Sequence, residues 1–318
     1  MKTKIFTFIL ALVAGVGTIF ATEGALNGVF SISATRQVNF SQGNLQYRAI
    51  DNIWQFAEKQ TDFVGEDNVY IPEDYTGWID LFGWGTGNNP TLTTTVFSDY
   101  ATFTDWGTNA ISNGGNTVNQ WRTLTKDEWV YLFYGRTNAA TKFGLGSVNG
   151  VNGTILLPDN WELPAGAEFI ASTTQGLADQ GGFYYDENNE HFTDNAYTTG
   201  QWAAMEANGA VFLPAAGRRI GSGGDGFGGG GYYWLSSPDE EDDEAAYGFE
   251  FGPRNLIPQG RPSRYYGFSV RLVKAPEGLE GINQIQNGQL LDCKFIKDGQ
   301  LFIRHGDALY NVQGARVR

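Results

Sequence analysis

The sequence predicts an α+β domain that is rich in loops, with mixed β-sheets and about two helices, followed by a short C-terminal β tail. Most apolar residues recur at alternate positions over short segments, as they do in half-buried strands. Only two segments have helical spacing. The 43 glycines among the 318 residues occur with Asn and Pro between these segments, where turns are expected.

The first 21 residues have the organisation of a secretory signal peptide. Lys2 and Lys4 precede an apolar run over residues 5–19, and Ala21 offers a cleavage point. The run is too short for a stable membrane span, which needs roughly 20 apolar residues, and no other segment approaches that length. No cysteine lies near the cleavage point, so a lipoprotein anchor is not expected. We predict a secreted or cell-surface protein without membrane insertion.

The domain occupies residues 22–276 and begins with three strand-like segments, residues 24–30, 31–40 and 44–47, which alternate apolar and polar side chains. A helix is expected from Thr125, because Thr125 and Glu128 have the spacing of a capping box. Trp129 follows on its apolar face, and Gly135 ends it. A second helix is expected over residues 199–207, with Asn208-Gly209 as its stop.

The tail, residues 277–318, follows a boundary near residues 275–278 and holds five basic and five acidic residues. Strands are predicted at residues 289–293, 295–296, 301–304 and 309–312, and Asp298-Gly299 is a hairpin signal between two of them. So small a segment has marginal stability alone. It is therefore either a structural β module or a segment that another protein complex recognises.

The charge of the chain excludes several classes of partner. Asp and Glu number 35 against 21 Lys and Arg, a formal charge of −14 that becomes −16 when Lys2 and Lys4 leave with the signal peptide. Such a field repels nucleic-acid phosphates and anionic lipid. We expect no nucleic-acid partner, and a neutral or cationic ligand rather than an anionic polymer.

Reactive side chains are scarce. One cysteine, Cys293, excludes a disulfide framework, a cysteine-rich zinc site and a CxxC redox centre. The two histidines, His191 and His305, lie in polar segments and are predicted to be exposed turn residues rather than catalytic bases. We therefore predict a non-enzymatic protein without a cofactor. A glycoside hydrolase with two carboxylates is the alternative, although nothing marks a particular pair, and a purely structural surface protein is a third.

Four segments carry a family resemblance. They read QWRTLTKDEW at residues 120–129, LPAAG at 213–217, YWLSS at 233–237 and GFSVRLV at 267–273. The first resembles the W/Y-R-L-P-T-x-x-E-W segment of formylglycine-generating-enzyme-like domains, a branch of the C-type lectin fold. The last two resemble the aromatic-Trp-Ser-Ser segment and the closing strand of that group. Together the four are similar to the secreted "major paralogous domain" proteins of Bacteroidetes and Fibrobacteres over roughly residues 24–274.

The resemblance implies a C-type-lectin-like fold in which Trp121 and Trp129 belong to the core. Arg122 can hold carbonyl groups or a carboxylate beneath them. The related enzymes need reactive cysteines in the body of the domain, whereas Cys293 lies in the tail. The oxidase activity therefore does not carry over.

Residues 218–266 are the predicted ligand surface. Arg and Tyr alternate there with Gly, Ser and Asn, which is the chemistry of recognition surfaces, and the resemblance implies that the ligand surface lies in the same stretch. We expect it to bind a glycan or a protein surface. The candidate binding residues are Arg218, Arg219, Asp225, Phe227, Tyr232, Tyr233, Tyr247, Asn255, Gln259, Arg261, Arg264 and Tyr265.

Two further patterns within this stretch are ambiguous. Residues 221–226 match GxGxxG, but a strand-like segment follows instead of a helix, so a flexible surface loop is predicted. Residues 239–244 are six consecutive acids, for which we predict a solvated loop. Calcium is the possible cofactor there, with Asp239, Glu240 and Asp242 as candidate ligands.

The tail resembles the C-terminal segments of exported Bacteroidetes proteins. Its pattern comprises Asp298, Gly299, Leu301, Ile303, Gly306, Tyr310, Asn311 and Gly314. Such tails can be signals for the type IX secretion machinery, which is the partner that the resemblance implies.

Overall fold

The computed structural model describes residues 23–174, 177–178 and 181–276, and in the tail residues 285–286, 289–290, 292–297, 300–305, 308–311 and 315–317. These residues form an α+β structure. Its helices are α1 (Lys126–Val130) and α2 (Thr199–Ala207). The strands of the domain are β1 (Phe30–Ser31), β2 (Gln37–Phe40), β3 (Leu45–Arg48), β4 (Ile53–Phe56), β5 (Trp78–Ile79), β6 (Phe143–Val148), β7 (Val151–Leu156), β8 (Leu177–Ala178), β9 (Phe183–Tyr184), β10 (Ala196–Tyr197), β11 (Val211–Pro214), β12 (Arg218–Ile220), β13 (Gly223–Asp225), β14 (Gly231–Pro238), β15 (Ala246–Gly252), β16 (Asn255–Gly260) and β17 (Val273–Lys274). Those of the tail are β18 (Ile285–Gln286), β19 (Gln289–Leu290), β20 (Asp292–Lys297), β21 (Gln300–His305), β22 (Ala308–Asn311) and β23 (Arg316–Val317).

The domain strands form five small sheets rather than one large one. Their orders are β1-β2-β17, β4-β3-β5, β10-β6-β7-β11, β12-β13 and β14-β15-β16-β9-β8. The β10–β6 pair is parallel and the other pairs of these strands are antiparallel, so the β10-β6-β7-β11 sheet is mixed and the other four are antiparallel. Because β17 pairs with β2, with Val273 opposite Phe40, the end of the domain returns to its beginning.

Both predicted helices are confirmed. The Thr125 side chain accepts a hydrogen bond from the backbone of Glu128, and the Glu128 carboxylate accepts one from the backbone of Thr125. The α-helix is short because a π-helical turn, Tyr131–Gly135, continues it. Helix α2 has the predicted bounds, and Thr198 and Gln201 form a second capping box.

The N-terminal strands are shorter than predicted. Residues 31–40 turn back at Ser33, whose hydroxyl accepts hydrogen bonds from the amides of Thr35 and Arg36, and the chain re-enters a sheet at β2. Of residues 24–30, only Phe30 lies in a strand, and Ala25 makes an isolated bridge to Ser41. The third segment is confirmed as β3.

The segments that carry the resemblance form the interior. Trp121, Trp129 and Trp234 are buried. Arg122 makes a bidentate ion pair with Glu128, with N–O distances of 2.7 and 2.8 Å. This is the carboxylate partner that the sequence suggested for that arginine. Ser237 accepts a hydrogen bond from the amide of Lys126, which ties β14 to the start of α1.

Two hydrophobic clusters cover opposite faces of the β14-β15-β16 sheet, because neighbouring residues of a strand point to opposite sides. Tyr233, Phe249 and Leu256 belong to the cluster around Trp129. Trp234 and Ala246 belong to the cluster around Trp106 and Phe268. The face of the sheet that carries Trp234 is covered only in part, and Tyr232 and Glu250 at its margin are half-buried.

The tail contains a four-stranded antiparallel sheet, β20-β21-β22-β23, and a separate β18–β19 pair. The predicted strands 301–304 and 309–312 correspond to β21 and β22. The predicted segments 289–293 and 295–296 instead divide between β19 and β20, and β20 is continuous over residues 292–297. Lys297 pairs with Gln300, and Asp298-Gly299 between them lies outside the described residues. The signal-peptide segment, residues 1–21, also lies outside them. In the described part of the chain, no helix has the length and apolarity needed to cross a membrane.

A buried carboxyl group, Asp80, lies within the electrostatic influence of the buried guanidinium of Arg219 on strand β12. Asp80 is fully buried, and its Oδ2 accepts a hydrogen bond from the amide of Val64 at 2.6 Å. Burial raises the pKa of Asp80 to about 7, although the positive charge of Arg219 opposes this. Burial also lowers the pKa of Arg219 to about 10, so Arg219 stays charged at neutral pH.

The Asp80 carboxyl makes stability depend on pH. The unfolded chain releases this proton near pH 4, while the folded protein retains it up to about pH 7, so the free energy of unfolding falls as the pH rises through this window. We expect Asp80→Asn to gain stability relative to the unaltered protein between pH 4 and pH 8, by on the order of 2–4 kcal/mol. Urea unfolding at several pH values measures this gain.

The exposed Asp74 provides the control, as Asp74→Asn leaves the buried Asp80 carboxyl unchanged. The amide introduced by Asp80→Asn releases no proton in this range, so the stability of that variant lacks this pH dependence. A difference between Asp80→Asn and the unaltered protein that stays constant from pH 4 to pH 8 would contradict the prediction.

Candidate functional site

A cleft of about 240 Å³ opens at the margin of the β14-β15-β16 sheet. We call it the glycine cleft. It is lined by Gly226, Gly229, Gly230, Tyr232, Glu250, Phe251, Gly252, Pro253, Arg254, Asn255 and Ile257. Tyr232 is opposite Glu250, and Glu250 is opposite Ile257, so these three side chains form a row across three strands. The cleft therefore lies on a rigid sheet and not on a loop alone.

Glycine forms one wall because side chains would fill the space. Gly226 has a φ of +74°, in the left-handed region that favours glycine. A Cβ at Gly230 would lie 3.1 Å from the ring of Tyr232. Backbone rather than side chains consequently lines this side of the cleft. The amides of Gly229 and Gly230 donate to the carbonyl of Gly226 within the turn.

Arg218 holds the ring of Tyr232, which forms the aromatic wall of the cleft, in position. Its guanidinium lies 4.6 Å from the ring centroid of Tyr232 and 5.7 Å from that of Tyr266. Its Nη2 is 2.9 Å from Oδ2 of Asp225. A cation held over a tyrosine face attracts the ring, so Arg218 fixes the position of Tyr232.

Glu250 supplies the carboxyl group of the cleft. Its pKa is raised by burial, and the positive charge of Arg218 opposes the rise. The carboxyl lies against Gly260, where a Cβ would come within 2.3 Å of Oε1. With Asn255 on the neighbouring strand, the cleft offers hydrogen-bond donors and acceptors beside an aromatic ring.

The structure brings four of the sequence-predicted residues together here. Tyr232 and Asn255 line the cleft, and Arg218 with Asp225 supports Tyr232 from outside it. Phe227 packs over the two glycines Gly217 and Gly224, where a Cβ would come within 2.4 and 2.5 Å of its ring. Phe227 therefore anchors the glycine-rich segment, residues 226–231, that forms one wall of the cleft.

Three predicted ligand residues lie in the interior. Arg219 is 1% exposed and donates to the carbonyl of Leu81. Tyr233 is 1% exposed and donates to the carbonyl of Pro214. Arg264 is 6% exposed, lies 4.6 Å from the Trp84 ring and donates to a backbone carbonyl. These side chains contact protein, so they cannot present themselves to a ligand here.

The remaining predicted residues lie outside the lining of the glycine cleft. Arg261 is paired with Asp239 and Glu241. Tyr247 receives Lys126 over its ring at 4.7 Å. Tyr265 packs edge-on against Phe97 at 5.3 Å, and Gln259 is half-buried on β16.

The acidic run at residues 239–244 turns back on itself instead of gathering around an ion. Asp239 accepts hydrogen bonds from the amide of Glu241 and from Arg261, and Asp242 accepts one from the amide of Glu244. Glu240 is exposed. Among the described residues, no group of three or more acidic, His or Cys side chains is arranged to hold a metal.

The GxGxxG match is a turn between two strands. Residues 218–220 and 223–225 pair as a hairpin, with Arg219 opposite Gly224. Gly221 in the turn has a φ of +57°. The prediction of a loop is therefore corrected to a hairpin, because the glycines sit at the turn and opposite a buried arginine.

His191 corrects another expectation. It was predicted to be exposed, but it is 6% exposed, and its Nδ1 lies 2.9 Å from Oδ2 of Asp194. Its ring also packs against Tyr185, with centroids 4.8 Å apart. Tyr185 lies six residues before His191, across a polar turn. The polarity of the residues next to His191 therefore does not reveal that its side chain is buried. The side chain of His305 lies outside the described residues.

Sequence reasoning missed Glu250 and Ile257. The signal for Glu250 is the alternation Phe249-Glu250-Phe251, which places one polar residue between two inward-facing rings. Its proximity to Tyr232 depends on strand register, which the sequence does not reveal.

Comparison of the chain with protein-family models, with curated proteins and with solved structures gives no match.

The contact between Glu250 and Gly260 can be tested directly. We expect Gly260→Ala to displace the Glu250 carboxyl and to lower its raised pKa towards the ordinary value, because the group loses its buried position. Carboxyl-carbon NMR titration measures this. Gly229→Ala is the matched control, since the nearest atom to its Cβ would be 3.9 Å away. An unchanged Glu250 titration in Gly260→Ala would show that burial at this contact does not set the pKa.

Proposed function

We propose that this protein is a non-enzymatic recognition protein that binds a glycan in the glycine cleft. The observation that carries the proposal is the row formed by Tyr232, Glu250 and Ile257, with Asn255 and a glycine backbone beside it. Sugars present apolar ring faces and many hydroxyls. Aromatic faces pack on the former, and carboxylate, amide and backbone groups bind the latter.

The size and charge of the cleft define the ligand further. Its volume of about 240 Å³ is below the roughly 300–1,000 Å³ typical of sites for drug-sized ligands. We therefore expect it to hold a single sugar residue or the end of a chain. The lining holds one carboxyl group, Glu250, and one guanidinium group, Arg254, so it is the overall charge of −14 that favours a neutral or cationic sugar over an anionic one.

The hydrolase alternative has less support at this site. Glycoside hydrolysis uses a pair of carboxyl groups on either side of the scissile bond. The described lining of the glycine cleft contributes one, Glu250. Asp225 is paired with Arg218 beside the cleft. The arrangement therefore supports binding rather than bond cleavage.

Fold and location complete the proposal. We propose that the domain has the C-type-lectin-like fold, because the segments that resemble that group supply its buried core. We also propose that the protein acts outside the inner membrane, as the basic and apolar N-terminal segment suggests. The antiparallel tail sheet is compatible with a structural module and with a type IX secretion signal.

A mixed array of glycans and surface proteins tests the proposed function. We expect the whole chain to bind a set of related neutral or cationic glycans. Asn255→Ala and Glu250→Gln should each weaken this binding by about 5-fold to 100-fold. The first removes the side-chain amide and the second replaces one carboxyl oxygen with an NH2 donor, so each loses a hydrogen bond worth roughly 1–3 kcal/mol. Circular dichroism confirms that the variants are folded.

Arg261→Ala is the control, because Arg261 is exposed and does not line the cleft. A chelator should leave binding unchanged, as the acidic residues 239 and 242 are engaged in turns and ion pairs. Glycan binding that both cleft variants retain would place the site elsewhere. Binding to protein spots alone would refute the glycan assignment.

A further inference from the structure

A second cleft, of about 370 Å³, opens beside the β1-β2-β17 sheet. We call it the basic cleft and define it by Arg36, Val38, Trp121, Arg122, Val273 and Lys274. It shares no lining residue with the glycine cleft. Its volume lies within the roughly 300–1,000 Å³ of sites that hold small organic molecules.

Three separate parts of the chain supply the cations of this cleft, and backbone pairing fixes two of them. Lys274 lies on β17, opposite Asn39 of β2. The backbones of Arg122 and Val273 exchange two hydrogen bonds of 2.9 Å. Arg36 immediately precedes β2. The cleft is therefore built along the edge of a sheet and not on a loop alone.

The charge of the basic cleft is positive, although the whole chain is acidic. Its described lining contains Arg36, Arg122 and Lys274 and no acidic residue. Glu128 lies behind the two arginines and is 3% exposed, with N–O distances of 2.9 Å to Arg36 and 2.7 Å to Arg122. One carboxylate thus serves two of the three cations, and a positive charge remains for a ligand.

The two arginines keep hydrogen-bond donors for that ligand. Glu128 engages Nη1 of Arg36 and both terminal nitrogens of Arg122, whereas each guanidinium has five N–H donors. The side chains of Arg36 and Arg122 are 48% and 38% exposed. A planar guanidinium matches the geometry of a carboxylate, so the second anion that suits this pair is another carboxylate.

Apolar surface lies beside these charges. Val38 and Val273 line the cleft together with Trp121, whose indole Nε1 donates to the carbonyl of Gly114 at 2.7 Å. The ammonium group of Lys274 lies 5.1 Å from the centroid of the Trp121 ring, so this charge is held against the aromatic wall. An anion with an apolar body fits such a combination better than an inorganic ion does.

We propose that the basic cleft is a second binding site, which takes a small organic carboxylate with an apolar body. The carboxylate meets the guanidinium groups of Arg36 and Arg122, and the apolar body packs along Val38 and Val273. The negative field of the whole chain opposes a polyanion, so a single carboxylate is favoured. The site is independent of the glycan proposal, and each can fail without the other.

The test uses calorimetry with the whole chain at low ionic strength and two probes, hexanoate and N-acetyl-leucine. The first represents a free acid and the second the C-terminal end of a peptide, so the tighter of the two identifies the source of the carboxylate. We expect saturable binding of at least one probe. Hexanamide and N-acetyl-leucinamide, which lack the charge, should bind at least about tenfold more weakly. Acetate, which lacks the apolar body, should also bind more weakly than hexanoate.

Three variants locate the binding. Arg36→Gln should weaken it about tenfold, which corresponds to about 1.4 kcal/mol, while Glu128 keeps its bidentate partner Arg122. Lys274→Met removes the ammonium group, keeps an unbranched stem and should also weaken binding, so it serves if Arg36→Gln unfolds. Arg261→Gln is the matched control, because Arg261 is an ion-paired arginine of similar exposure, 47%, outside the cleft.

Four results would overturn the proposal. They are absence of binding by both probes, equal binding of the uncharged amides, binding of acetate as tight as that of hexanoate, and unchanged binding in both Arg36→Gln and Lys274→Met. Circular dichroism establishes that each variant is folded before its binding is compared.

Discussion

The domain depends on one buried arginine, Arg271, and on the amides that receive it. Its Nη2 donates to Gln60 at 2.9 Å, and its Nη1 lies 3.4 Å from the side-chain oxygen of Asn44. Arg271 is 3% exposed, and burial lowers its pKa to about 10. A charge in this position is costly unless it is hydrogen-bonded. The surrounding segments are therefore constrained to deliver their amides to it.

Gln60 extends this constraint to the rest of the fold. Its oxygen also accepts from the amide of Phe212 on β11 at 2.7 Å, and its nitrogen donates to Glu206 of α2. Asn44 donates to the hydroxyl of Tyr233 at 3.3 Å, which in turn binds the carbonyl of Pro214. The network thus connects segments distant in sequence, and Tyr233 within it is the sequence neighbour of Tyr232 in the glycine cleft.

The helices could be predicted from the sequence because their signals are local. The Thr125–Glu128 box and the Asn208-Gly209 stop each act within one turn of chain. The buried tryptophans could also be predicted, since their size favours a core. For the candidate site, the sequence indicates the stretch of residues 218–266 but not which of its side chains line the cleft. Tyr232 and Tyr233 are adjacent and chemically alike, and only strand register decides that one faces the cleft and the other the core.

The alternation along β14, β15 and β16 separates two kinds of position. Positions 232, 250 and 257 face the cleft, while 233, 249 and 256 pack inside. Each of these core residues is thus next in sequence to one that lines the proposed binding cleft, and the two side chains point to opposite faces of the sheet. A mutational library confined to positions 232, 250 and 257 would change the walls of the cleft while it leaves the cluster around Trp129 on the opposite face unaltered. The sheet is therefore a natural platform for directed evolution.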